Sequence, residues 1–144
     1  SFTKGSYRNF LVQWETTCSS GTSDVAFRLN GDSSSVYGWT EIFFASNTLN
    51  TGGGYNQTWW NTNVMGESSS AEYVRGTLHL STNGTNNKVM CLYQKNQATV
   101  GNNRPMGTGI GIYNGSSALS SVSMHMSSGS ATLTNTTIRI WGLL

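Results

Sequence analysis

Glu72-Tyr73-Val74-Arg75-Gly76-Thr77-Leu78-His79-Leu80 alternates its chemistry residue by residue. Val74, Leu78 and Leu80 fall on one parity, while Tyr73, Arg75, Thr77 and His79 fall on the other. Successive side chains of a strand point to opposite faces, so the pattern predicts a strand with one dry face and one wet face. Ser121-Val122-Ser123-Met124-His125-Met126 divides even more cleanly, with Val122, Met124 and Met126 against Ser121, Ser123 and His125. A helix would need apolar residues at a period of 3.6, and no stretch of 12 residues carries that period.

The same alternation, cut by Gly/Asn/Ser clusters, recurs from end to end, as expected of an all-β domain with turns every 8–12 residues or so. Strands are predicted near Tyr7–Trp14, Asp24–Leu29, Tyr37–Ala45, Ala71–Leu80, Lys88–Gln94, Gly109–Tyr113, Ser121–Met126 and Thr137–Leu143. Turns are predicted at Asn30-Gly31-Asp32-Ser33, Thr51-Gly52-Gly53-Gly54, Thr82–Asn87 and Asn114-Gly115-Ser116-Ser117, where Asn-Gly pairs and glycine runs permit tight reversals. Pro105, the only proline, falls in a segment read as an exposed connection. About eight short strands with polar loops fit a jelly roll or a related antiparallel sandwich of two sheets. The 144 residues make one such domain, 1–144, with no internal repeat and no linker.

Composition agrees with this. Charged residues are 10% of the chain, against about a quarter in an average domain. Ser, Thr, Asn and Gly together fill 71 positions, which favours strands and turns over helices. Five Trp, six Tyr and five Phe supply the apolar area that a polar chain would otherwise lack. With a net charge of +2 and 11% aromatics, the chain does not have the composition of a disordered one. Its eight Lys and Arg are scattered, which argues against nucleic acid as partner. No window of about 18 apolar residues suits a membrane-spanning helix, and residues 1–5 do not resemble a secretory signal.

Little in the sequence points to catalysis. His79 and His125 are the candidate bases, both on strand faces read as polar and solvated, and no G-x-S-x-G elbow is present. Cys18, Cys91, His79 and His125 lack metal-ligand spacing, so no metal site and no cofactor are expected. Gly107-Thr108-Gly109-Ile110-Gly111 resembles a phosphate loop only superficially; it reads as a strand in which other groups approach the backbone closely. The four N-x-S/T sequons at Asn56, Asn83, Asn114 and Asn135 are the number that chance supplies in so Asn-, Ser- and Thr-rich a chain. Two cysteines on distant segments are compatible with a pair, with free thiols or with simple burial.

The aromatic run Tyr55-Asn56-Gln57-Thr58-Trp59-Trp60-Asn61 carries the main binding expectation. Adjacent side chains in a strand point oppositely, so Trp59 and Trp60 cannot both enter one core. Either they cap the two ends of the sandwich, or one of them meets a partner or a sugar.

Three segments resemble a family of small structural proteins of tailed bacteriophages: Tyr7-Arg8-Asn9-Phe10-Leu11-Val12 as the opening strand, Phe27-Arg28-Leu29-Asn30-Gly31-Asp32 followed by Tyr37, and the closing Thr137-Ile138-Arg139-Ile140-Trp141-Gly142-Leu143. Residues from about Phe44 to Tyr113 follow it only in strand order. A contact between Arg28 and Asp32 across a left-handed Asn30 is the expected role of the second segment. The resemblance implies a jelly-roll domain that works by binding alone. Lacking a shaft, coiled coil or collagen-like repeat, the chain fits capsid cement better than a fibre tip. Expected partners are the major capsid protein and further copies of the chain, as a dimer or trimer on the virion exterior, with Tyr55, Trp59, Trp60, Phe2 and Leu144 as contact residues. Assembly in a reducing host cytoplasm implies free thiols. The rival expectation is a receptor- or carbohydrate-binding module of a tail fibre or spike, using the same aromatics on a glycan.

Overall fold

Ten strands build the protein, in a computed structural model that describes residues 7–19, 24–45, 48–65, 73–82, 88–98, 106–127 and 131–143. They are β1 (Asn9–Cys18), β2 (Asp24–Leu29), β3 (Tyr37–Ala45), β4 (Thr48–Gln57), β5 (Trp60–Met65), β6 (Tyr73–Thr82), β7 (Val89–Ala98), β8 (Met106–Tyr113), β9 (Val122–Met126) and β10 (Leu133–Leu143). All pairings are antiparallel. A seven-stranded sheet runs β10-β1-β6-β7-β8-β3-β4, and a three-stranded sheet runs β5-β2-β9. The chain is therefore a two-sheet β-sandwich, as its alternating pattern requires.

The count of about eight strands is too low because it omits both β4 and β5, and β4 shows why. Thr51-Gly52-Gly53-Gly54, read as a turn, lies inside that strand, where Gly52, Gly53 and Gly54 pair with Glu41, Thr40 and Trp39. Glycine supplies no side-chain alternation, so a strand built on it is silent to a periodicity test. The turn expected over Thr82–Asn87 and the connection around Pro105 lie largely or wholly outside the described residues.

On β6 and β7 alternation and burial coincide. Val74, Leu78 and Leu80 are buried, as are Val89, Cys91, Tyr93, Lys95 and Gln97, while Arg75 and His79 are exposed. These inward residues meet Val25, Phe27 and Leu29 of β2, with Phe10, Val12 and Trp14 of β1 completing the core. Aromatic edges lock the layers together: Trp14 meets Phe27 at 5.3 Å between centroids, and Tyr37 meets Trp60 at 5.7 Å. On β9 the expected clean division softens, because Val122, Met124, His125 and Met126 are all half-buried.

Glycine on β8 makes room for this core. Gly109 and Gly111 face inward; a Cβ on Gly109 would sit 2.5 Å from the Tyr93 hydroxyl, and one on Gly111 would sit 2.7 Å from the Trp60 indole nitrogen. The Gly107–Gly111 run is thus a strand under closely approaching aromatic rings, and Trp60 Nε1 donates to the Ile112 carbonyl at 2.9 Å.

The segment Arg28–Asp32 with Tyr37 is a structural hub, although not through an Arg28–Asp32 contact. Asn30 is left-handed at φ 55, as expected. Its Oδ1 accepts from the Ser120 and Ser121 amides at 2.8 and 3.2 Å, and its Nδ2 donates to the Ala118 carbonyl at 3.0 Å. Asp32 accepts from Ser34 and from the Tyr113 hydroxyl, and the Ser34 bonds hold its carboxyl below the usual range. Arg28 points away and donates to the Thr58 carbonyl at 3.0 Å.

Candidate functional site: two opposite sheet faces

Alternate residues of the seven-stranded sheet point away from the core, and their registers arrange them in rows. One row crosses the sheet as Trp141, Leu11, His79, Leu92, Ile110 and Thr40. The next runs Arg139, Gln13, Thr77, Gln94, Thr108 and Ile42. Among the described residues, every exposed large hydrophobic side chain except Tyr7 lies on this outer face. Ile110 is 59% exposed and Met90 67%, values ordinary for surface polar residues and unusual for a contiguous apolar set. Four adjacent strands, β7, β8, β3 and β4, direct no charged side chain outward among the described residues, because Lys95 and Glu41 both turn inward. Charge on this face lies at its margins, with Glu15, Arg75 and Arg139 on β1, β6 and β10 and Lys88 just before β7 beside Met90 and Ile112.

The face is not flat. A groove of about 830 Å³ crosses it, with Ile42, Phe44 and Met106 on its apolar wall and Gln13, Arg75 and Gln94 among its polar lining. Tyr55, 74% exposed, stands at the β4 edge of the same face. A Cβ on Gly38 would lie 3.7 Å from the Tyr55 ring and 3.2 Å from Ile112, so the missing side chain there brings the tyrosine towards the apolar rows. Just beyond, Asn56 is left-handed at φ 54, where the β3–β4 register shifts and the chain leaves the strand.

That departure decides the fate of the two tryptophans. Trp59 lies in the bend between β4 and β5, not in a strand with Trp60. Trp60 enters the core at 2% exposure, with its indole nitrogen bonded, so it presents nothing to a partner; its expected contact role is corrected by its burial. Trp59 is half-buried on the outer face of the small sheet, where the Arg28 guanidinium lies 5.4 Å from its ring centroid and the His125 ring meets it edge-on at 5.8 Å. Asn61 donates to Asp24 at 2.9 Å nearby. Phe2 and Leu144 lie outside the described residues.

His79 and His125 therefore occupy opposite outer faces of the sandwich and do not form one site. His79 is exposed as expected. His125 is not a solvated ring: Nδ1 is 2.8 Å from the Met126 carbonyl, Nε2 is buried, and burial holds the imidazole below its usual pKa. Cys18 and Cys91 form no disulfide, and burial pushes the Cys91 thiol well above its usual value.

Sequence reasoning finds Tyr55 and Trp59 but misses the wider outer face. The signal was present in the unused parity of strands already predicted: Ile42 and Phe44 on β3, Met90 and Leu92 on β7, Ile110 and Ile112 on β8. Where both parities of a strand are apolar, both of its faces need cover. Comparison with protein-family models, with curated proteins and with solved structures finds no match to this chain.

Proposed function

We propose that this protein is a bacteriophage virion structural protein that decorates the capsid shell and stabilises it by adhering in many copies. The observation that carries this reading is the uncharged, largely apolar outer face of β7, β8, β3 and β4. Exposed apolar patches beyond a few hundred Å² mark protein contact surfaces. An uncharged face suits a neutral protein surface and offers nothing to a polyphosphate. Its amide and hydroxyl groups form contacts that salt screens little. The phage setting is supported by the resemblance of both terminal strands and of the Arg28–Tyr37 segment. The partners are the major capsid protein and further copies of the chain. Several copies acting together convert weak single contacts into a long-lived attachment, because each later contact forms at high effective concentration. Peptide quantification of purified virions, with immunogold labelling, tests this. Many copies distributed over the shell are expected, and a few copies confined to the tail would overturn it.

Trp59 favours a second reading, a receptor- or carbohydrate-binding module of a tail fibre or spike. A half-exposed indole flanked by the Arg28 guanidinium and the His125 ring, on the face of the small sheet that also carries the Asn61–Asp24 pair, combines a stacking surface with hydrogen-bonding groups, the chemistry that holds a sugar ring. A glycan array separates the two. Binding that is abolished by Trp59→Ala supports the module; no binding on the array supports the structural role.

A further inference from the structure

We propose that the outer face of β6-β7-β8-β3-β4 is where a second copy of this chain packs, sheet against sheet about a twofold axis. The inference deepens the adhesive reading by naming the occupant of the apolar face, and rests on it only for the expectation of repeated copies.

The chemistry of the face is self-complementary. A twofold contact sets each patch against itself, so any concentrated charge would meet like charge. The four strands β7, β8, β3 and β4 present none among the described residues. Their polar outward groups, including Gln94, Asn96, Thr108 and Thr40, are amides and hydroxyls, which both donate and accept and can therefore pair with their own counterparts.

The size and shape of the face also fit. Five strands spaced about 4.8 Å apart and eight residues rising about 3.4 Å each give a projected area of roughly 650 Å². Corrugation brings the accessible area close to the roughly 800 Å² per partner of a standard interface. Apolar residues are spread over this area around β8, with Met90 and Leu92 on one flank, Ile42 and Phe44 on the other, and Ile110 between them. The Leu92–Ile110 row forms a ridge beside the groove that holds Gln94, Thr108 and Ile42. A twofold axis running between these two rows lays each copy's ridge in the other's groove, within the packing angles that twisted sheets adopt. Glu15, Arg75 and Arg139 line the β6-β1-β10 end of the groove, at the margin of the five-strand contact, where charge can stay hydrated.

The test is sedimentation equilibrium of the purified chain from low micromolar to about 100 µM, a range that covers interfaces of this size. The expected species is a dimer. Ile110→Glu, and separately Leu92→Glu, place a charge at its centre and are expected to weaken the dimer by at least about 100-fold. Ser117→Glu, on an exposed loop remote from the face, should leave it intact. Ile110→Thr, a milder change at an outward position, should weaken the dimer while keeping the circular dichroism and unfolding transition of the parent. A chain that stays monomeric throughout, a dimer indifferent to both Glu variants, or a monomer that binds an oligosaccharide in the groove would each overturn the proposal. Because no virus particle is present, this result is independent of where the protein sits in a virion.

Discussion

Trp59 and Trp60 are neighbours in the chain, yet they carry opposite burdens. Trp60 fills the space over Gly111 and ties β5 to β8 through its indole nitrogen, so Trp60→Ala should cost about 3–5 kcal/mol in urea unfolding. Trp59→Ala removes one cation–π contact and one edge contact at a half-exposed site and should cost about 1–2 kcal/mol. Equal losses for the two would contradict their placement. The Trp59 neighbourhood also sets a pH dependence through His125, whose proton is disfavoured first by desolvation and then by Arg28, against an opposing bond to Met126. The folded pKa is depressed, so as pH falls through about 6.5 the unfolded chain takes up a proton that the folded ring still refuses. Stability is therefore lost on acidification through that window and flattens once the folded ring also titrates. His125→Gln should make Tm between about pH 7.5 and 5 less steep than in the parent, and an unchanged slope would assign the acid sensitivity to other groups.

At the scale of elements, β8 and β4 show what glycine does in a sheet. On β8 the inward glycines are spaces that aromatic rings occupy. Gly109→Ala would drive a methyl into the Tyr93 ring and against the Thr40 carbonyl, and should cost about 2–3 kcal/mol. Gly31→Ala meets no atom within 4 Å and pays only for its left-handed backbone at φ 66, about 1 kcal/mol. Urea midpoints of the two variants should rank in that order. Six-residue β2 and nine-residue β3 match their expected bounds, because each is an apolar-rich run ended by turn residues or by a Ser/Asn step. β4 does not, because Gly52-Gly53-Gly54 erases the pattern, and β5 does not, because Trp60-Asn61-Thr62 directly follows a bend that no local signal marks. Tyr55 was legible as a surface aromatic. The outer face was legible only in part: the second apolar parity of β3, β7 and β8 shows in the sequence, but the long-range pairing of β3 with β8 that joins them into one face does not.

Across the whole molecule, a large sheet and a small one are held together by a few polar ties set in an apolar core. Lys95 on β7 is the most exacting of them. Its ammonium donates to Glu41 Oε2 on β3 at 2.6 Å and to the Thr62 carbonyl on β5, and so links the two sheets, while the Phe43 ring lies 4.8 Å away. Tyr93 donates to the same Glu41 oxygen at 3.0 Å, and Thr62 passes the connection to β2 through the Val25 carbonyl at 2.7 Å. Both charged side chains are fully buried, so neither can turn to water if its partner is lost. Desolvation lowers the Lys95 pKa against the pull of Glu41, a balance that leaves the pair weakly stabilising when intact and costly when halved. Lys95→Met should therefore lose about 3–5 kcal/mol, because it strands a carboxylate between the sheets. Lys95→Met combined with Glu41→Gln should recover most of that loss, since an amide can still accept from Tyr93 and needs no counter-charge. Urea unfolding of the two single variants and the double variant measures the coupling. Additive losses would mean that Lys95 and Glu41 act as two independent groups rather than as a pair.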